Sequence, residues 1–199
     1  MAEPVLNVLA VTGSLHKSSV TRTVVLYLAD LLKGAGCSVD VLDCAAEPLP
    51  LFNPDSAWTT PEYLALKPRV IQADVLLLGT PDYHGSISST LKNFLDHFWK
   101  EFGGKLFGTV VASHEKGLTV TDQLRTVTRQ CYAWSMPYGI SFAEKQDVTG
   151  DQIVNDAFKE RLAMFARDLR VYGEVLTRQR RADLAGTEPG FLARYRPQK

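Results

Sequence analysis

"VLNVLAVTGSLHKSSVTRTVV", Val5 to Val25, decides the fold. Its first half is a nearly unbroken run of β-branched and aliphatic residues that stops at Gly13, the pattern of a strand covered on both faces within a parallel sheet. Its second half passes through a polar loop into a helix from about Ser19. That helix places Val20, Val24, Leu28, Leu31 and Leu32 on one stripe and ends at Gly34-Ala35-Gly36. A buried strand followed by an amphipathic helix is the opening of a βαβ unit, whose crossover is right-handed.

The same alternation continues outward. "SVDVLDC" (Ser38 to Cys44) reads as a second, partly exposed strand, and the Pro-rich loop "AAEPLPLFNPDSAWTTP" leads to a helix from Pro61 to Gln72. Val75 to Gly79 is the most apolar strand of the chain, and "SSTLKNFLDHFW" is a helix capped by Ser88 or Ser89. "LFGTVVASHEKG" repeats the strand-then-polar-loop pattern. A helix near Thr119 to Trp134, a strand near Tyr138 to Phe142 and a long helix from Asp151 to Thr177 complete five strands and five helices. The expected architecture is one α/β domain over residues 1–177, with a basic, irregular tail over 178–199.

Composition sets further bounds. With 22 basic and 22 acidic residues in 199 the formal charge is zero, which argues against nucleic-acid or anionic-membrane partners. The apolar N-terminal stretch is short and lacks a basic flank, so neither signal peptide nor membrane span is expected, and the compartment is expected to be cytoplasmic. Cys37, Cys44 and Cys131 match no metal or cluster spacing and are read as reduced packing thiols; no metal site is expected. Phe94, Phe98, Trp99 and Phe102 give the helix after residue 87 more apolar surface than one sheet face covers, which predicts a homo-oligomer.

In open parallel sheets ligands bind beyond the carboxyl ends of the strands. Three strands end in loops of small polar residues, at Gly13–Thr21, Thr80–Ser86 and Ser113–Gly117, and these loops are expected to meet. The first lacks both G-x-x-x-x-G-K-[ST] and G-x-G-x-x-G. What it offers is a helix N-terminus preceded by Ser14, Ser18, Ser19 and Thr21, with His16 and Lys17 beside them, a set able to surround a phosphate without metal. Capping by Ser18 or Ser19 accounts for part of this pattern, but not for so many donors before one helix.

The second loop, "GTPDYHGSISSTLKNFLDHF" (Gly79 to Phe98), resembles the G-[ST]-P-E-Y-[NH]-G-S-I-P-x-x-L-K-N-x-[IL]-D pattern of the NAD(P)H-dependent FMN reductase family. "GSLHKSSVT" resembles that family's phosphate loop G-S-x-R-x-x-S-x-N. His16 replaces the usual arginine, Thr21 an asparagine, and Asp82 a glutamate. The resemblance implies a flavodoxin-like three-layer sandwich, a five-stranded parallel sheet of order 2-1-3-4-5 with helices on both faces. It also implies bound FMN and a homodimer or homotetramer. On this reading the FMN phosphate meets Ser14, His16, Ser18, Ser19, Val20 and Thr21. The ring lies along Pro81, Asp82, Tyr83, His84, Gly85 and Ser86, with backbone N–H groups of the last three aimed at its edge, while Ser113, Lys116 and Gly117 close the far side.

No side chain is assigned a catalytic role, because the flavin carries the reaction. The implied activity is hydride transfer from NADPH or NADH through FMN to a small-molecule acceptor such as a quinone, flavin, azo dye or metal oxyanion, in ping-pong fashion. Arg22, Lys116 and the tail arginines are the residues able to meet a 2′-phosphate. A flavodoxin-type electron carrier is the rival from another class, but such carriers are strongly acidic and this chain is neutral. A flavin-free interaction module on the same fold is the third reading.

Overall fold

The computed structural model describes residues 6–114 and 116–196. The parts of the expected first strand, third loop and tail at Val5, Glu115 and residues 197–199 therefore lie outside the described residues. Five helices and nine strands follow in chain order: β1 Asn7–Thr12, α1 Val20–Gly34, β2 Ser38–Asp43, α2 Pro61–Gln72, β3 Val75–Tyr83, β4 Ser86–Ile87, α3 Ser89–His97, β5 Leu106–Ala112, α4 Leu118–Gln130, β6 Trp134–Ser135, β7 Ile140–Phe142, β8 Val148–Thr149, β9 Gln152–Ile153 and α5 Asp156–Ala185.

The parallel sheet runs β2-β1-β3-β5, and its fifth position is shared by two short segments. β6 pairs with Leu106–Phe107 and β7 with Val110–Ala112. This is the flavodoxin-like order expected from the sequence, with the fifth strand interrupted between Ser135 and Ile140. Alternation along each strand explains why these runs are apolar throughout. Val8 and Ala10 of β1, with Val75 and Leu77 of β3, face α1 and α5. Leu9, Val11, Leu76 and Leu78 face α2, α3 and α4 on the opposite side. Gly79 brings α1 close to β3, because a Cβ there would lie 2.4 Å from Val25 Cγ2.

Three expectations need correcting. The last helix starts at Asp156, capped by Asn155, because residues 148–153 form the β8–β9 hairpin. It also continues to Ala185, so residues 178–185 are helical. Arg180, within α5, donates to the Gly103 carbonyl at 2.8 Å, and beyond the helix the chain folds back, with Leu192 buried and Arg194 over the Tyr132 ring. Finally, Phe94, Phe98 and Phe102 are fully buried within the chain, and of the four aromatics only Trp99 is exposed. The argument for an oligomer from these aromatics does not hold, because β3, α2 and the segment after α3 enclose them.

The three cysteines are free and buried as expected, and burial pushes the Cys44 thiol up to about 12. No described helix is long and apolar enough to cross a membrane.

Lys105, at the foot of β5, is buried and donates to the carbonyls of Val70 and Ile71 at the end of α2. Burial, with repulsion from Arg180, lowers its amine to about 7 despite the opposing fields of Asp74 and Glu101. An unfolded lysine holds its proton to about pH 10.4, so between pH 7 and that value the unfolded chain binds the extra proton and stability rises with pH. Between pH 7 and 8, below the range in which unfolded thiols ionise, the urea midpoint is expected to climb in the wild type, and less steeply in Lys105→Met. Equal slopes in the two proteins would remove Lys105 as the cause.

Candidate flavin site

The three loops do meet. His16, Ser18, Ser19, Val20, Thr21, Pro81, Asp82, Tyr83 and Ser113 line one cavity of about 220 Å³, together with Ala112, His114 and Glu144. A larger groove of about 880 Å³ lies on the other side of the first loop, between α1 and the β8–β9 hairpin. It shares Ser18 and Ser19, but the second and third loops contribute nothing to it, so the smaller cavity is the one the strand ends build.

In the first loop Ser19 caps α1, its Oγ accepting from the Arg22 N–H at 3.2 Å. The N–H groups of Val20 and Thr21, in the first turn, have no intrahelical acceptor by geometry and stand beside the cavity. Ser14 is buried, with its Oγ 3.4 Å from the His16 N–H, and stabilises the loop from beneath.

Arg22 holds this loop in shape. Its Nε and Nη2 grip Asp43 at 2.8 and 3.2 Å, and its terminal nitrogens donate to the carbonyls of Ser14, His16 and Lys17 at 3.2 to 3.4 Å. With its donors engaged in this way Arg22 is a strut, and its expected contact with a 2′-phosphate is corrected accordingly. Drawing the loop carbonyls back toward Arg22 leaves the loop's N–H edge toward the cavity. Burial raises the Asp43 carboxyl, but hydrogen bonds from Arg22, Ala45 and Thr12 outweigh it and hold the group below the usual carboxylate range. The strut therefore persists on acidification past the point where a free aspartate protonates.

The second loop is a two-residue hairpin joining β3 to β4, with Tyr83 opposite Ser86. His84 and Gly85 both take positive φ, 57° and 74°, as a tight turn of this length demands, and glycine adopts it without strain. Asp82 braces the turn: Oδ1 accepts from the Gly85 N–H and Oδ2 from the Ser113 hydroxyl, each at 2.8 Å. One carboxylate thus ties the second loop to the third, a task that aspartate's short side chain performs here in place of glutamate.

Gln123 of α4 clamps the hairpin from outside, accepting from Ser86 Oγ and the Ile87 N–H and donating to the Gly85 carbonyl at 3.1 to 3.2 Å. The Gly85 N–H and the Ser86 hydroxyl are therefore occupied within the fold. Tyr83, which lines the cavity, and His84, which does not, are both exposed. Lys116 is exposed outside the cavity, and Gly117 starts α4 in the left-handed conformation.

The cavity gathers a helix N-terminus, hydroxyls and the His16 imidazole, with the Asp82 carboxylate accepting from two donors and Glu144 a second acid. That set suits a phosphate end. Its volume is below that of a typical ligand pocket, so a whole flavin would not fit inside it. Sequence reading missed Glu144, His114, Gln123 and the Arg22–Asp43 strut. Glu144, Gln123 and Asp43 reach the site from elements outside the three loops, whereas His114 stands in the third loop beside Ser113 and Arg22 directly follows the first.

A family model of NADPH-dependent FMN reductases matches residues 6–147. The FMN-dependent NADPH-azoreductase of Staphylococcus aureus (strain USA300) is 30% identical over 173 residues, covering 79% of this chain and 89% of that protein. Among solved structures, the flavoenzyme NAD(P)H:(acceptor) oxidoreductase FerB from Paracoccus denitrificans superposes with a TM-score of 0.72 at 22% identity, covering 85% of this chain and 97% of that one. The apo form of the NADH:FMN oxidoreductase EMOB gives 0.70 at 16% identity, covering 84% and 89%.

Proposed function

We propose a role for each loop on the premise that the chain belongs to the NADPH-dependent FMN reductase family and is an FMN-dependent oxidoreductase using NAD(P)H. The proposal is that this site reduces a small aromatic acceptor, a quinone or an azo dye, in ping-pong order. The observation that carries it is the convergence of all three strand-end loops on one cavity, which the start of α1 and the exposed Tyr83 both line.

The chemistry that FMN supplies when bound is acceptance of hydride from a nicotinamide and its onward transfer to an acceptor. In this proposal the first-turn N–H groups of Val20 and Thr21, with the Ser18 hydroxyl, hold the phosphate, and His16 adds a donor. Pro81, Asp82 and Tyr83 support the ring, and Ser113 is the third-loop contact. Ser14, Gly85 and Ser86 shape the site from behind. His84, Lys116 and Gly117, beyond the cavity, flank the ring. The exposed rim admits donor and acceptor in turn, and no side chain has to exchange protons with the reacting atoms.

The azoreductase relative supports an azo acceptor, and the open rim supports planar ones generally. Initial rates at varied NADPH and fixed quinone concentrations are expected to give parallel double-reciprocal lines, whereas intersecting lines would contradict alternate occupation of one site. His16→Arg is expected to leave FMN affinity unchanged or raise it, since a guanidinium gives a phosphate more charge than an imidazole. A marked loss in a fluorescence titration would mean that His16 does not face the phosphate.

The proposal extends to a homodimer or homotetramer, supported by exposed Leu64 and Ile71 on one stripe of α2. A monomer at micromolar concentration by light scattering would contradict it. Three reduced thiols favour the cytoplasm as its compartment.

A further inference from the structure

We propose that Gln123 of α4 is a positioning residue for the flavin ring, a role that rests on the reading above in which Pro81, Asp82 and Tyr83 support that ring. Gln123 fixes the His84-Gly85 hairpin from the side away from the cavity, and flavin affinity depends on its grip.

Gln123 does not line the flavin cavity. It lines a groove of about 500 Å³ that shares no lining residue with that cavity. The hairpin stands between the two, with Asp82 and Tyr83 on the cavity and Ser86 and Ile87 on the groove. Buried Val120 and Leu124 hold α4 to the sheet, so Gln123 projects from a fixed element.

The partners of Gln123 determine how its amide is turned. The Ile87 N–H only donates, so the amide oxygen lies there at 3.2 Å, and the Ser86 hydroxyl donates to the same oxygen at 3.1 Å. The Gly85 carbonyl only accepts, so the amide nitrogen faces it at 3.2 Å. Gly85 is thus gripped on both sides, its N–H by Asp82 Oδ1 at 2.8 Å and its carbonyl by Gln123.

The turn needs such support. His84 carries a Cβ yet takes φ 57°, followed by Gly85 at 74°. Left-handed backbone at a residue of this kind persists where its surroundings over-determine it. Asp82 ties the hairpin to Ser113 of the third loop, and Gln123 ties it to α4, which begins where that loop ends. With both ties in place the hairpin has one shape before a flavin arrives. Without Gln123 only a fraction of the molecules hold that shape, and apparent affinity falls by that fraction.

Full-chain proteins loaded with FMN or with riboflavin are diluted, and the recovered flavin fluorescence gives the dissociation constants. Gln123→Met keeps the volume and removes all three bonds. It is expected to weaken both flavins by the same factor, about tenfold, because the ring is common to both and the phosphate is not. Gln123→Glu keeps an oxygen for Ser86 and Ile87 but sets a carboxylate against the Gly85 carbonyl, so at pH 8 it should also weaken both. Toward pH 5 its carboxyl gains a proton to donate, and its deficit relative to wild type should narrow while that of Gln123→Met stays constant. The other charges on the groove, Lys92 and Asp122, are paired with Asp96 and Arg125. A residue that only supported the fold would lower the thermal midpoint and leave these affinity ratios at one. Wild-type affinities in both variants, a loss confined to FMN, or a Gln123→Glu deficit that ignores pH would each overturn the proposal. Reduction of the bound flavin by NADPH is read separately and bears on the reductase reading alone.

Discussion

Ser19→Asp is expected to weaken FMN binding by about a hundredfold or more while leaving the thermal midpoint almost unchanged. Ser19 is the N-cap of α1, and aspartate caps a helix as well as serine does, so the hydrogen bond to the Arg22 N–H survives the exchange. Ser19 also lines cavities on both sides of the loop, which gives the longer side chain room. What changes is charge: two like charges 4 Å apart near a protein surface repel by about 4 kcal/mol, and with a third of that screened the loss is still about a hundredfold. Ser19→Ala should do the reverse, losing about 1 kcal/mol of stability with the cap but keeping most of the affinity. Ser14 offers no such separation, because at 3% exposure a carboxylate there would disturb folding as well. Isothermal titration of the apoproteins, beside thermal melts, reads both quantities. Wild-type affinity in Ser19→Asp would place the phosphate elsewhere.

Arg22→Met is expected to reduce FMN affinity by a comparable factor for a different reason. The substitution keeps most of the side-chain volume but removes every donor that draws the Ser14, His16 and Lys17 carbonyls away from the cavity, and it leaves Asp43 without its cation. Each tenfold step is about 1.4 kcal/mol, so losing two of these interactions in effect is sufficient. Arg22→Lys should recover part of the loss, since a lysine restores the charge but not the guanidinium fork. The Arg22–Asp43 pair is a quarter exposed, so the effect on stability should be smaller than on binding. Unchanged affinity in Arg22→Met would show that the loop holds its shape without the strut.

Much of this architecture is legible in the sequence, and the reason is the sheet. Strands covered on both faces are apolar throughout, so Val75–Leu78 and Leu106–Val111 announce themselves, and Gly13, Ser88 and the His84-Gly85 turn mark where each strand gives way. The start of α5 differs from the expectation because Gly150-Asp151 in "DVTGDQIVN" is a two-residue hairpin turn between Thr149 and Gln152, and the helix cap is Asn155, four residues beyond Asp151. The burial of Phe94, Phe98 and Phe102 is likewise a tertiary fact. Their number suggested a surface, but they nest against one another at 5.4 to 6.1 Å under α2. Within the site the loop residues were readable because they cluster in two motifs. Arg22, Asp43 and Gln123 were not, since their contribution is to hold those loops from behind, and support of that kind leaves no local pattern.

The central claim is that this site passes electrons from NADPH to a small acceptor through FMN held by the three loops. Its most direct test is anaerobic stopped-flow mixing of the FMN-loaded protein, first with NADPH and then with benzoquinone. The flavin absorbance is expected to bleach in the first step and return in the second, with one quinone consumed per flavin, and Ser19→Asp purified under the same conditions should show neither change. A wild-type flavin that NADPH leaves oxidised while dithionite bleaches it would contradict the claim and identify the protein as an electron carrier.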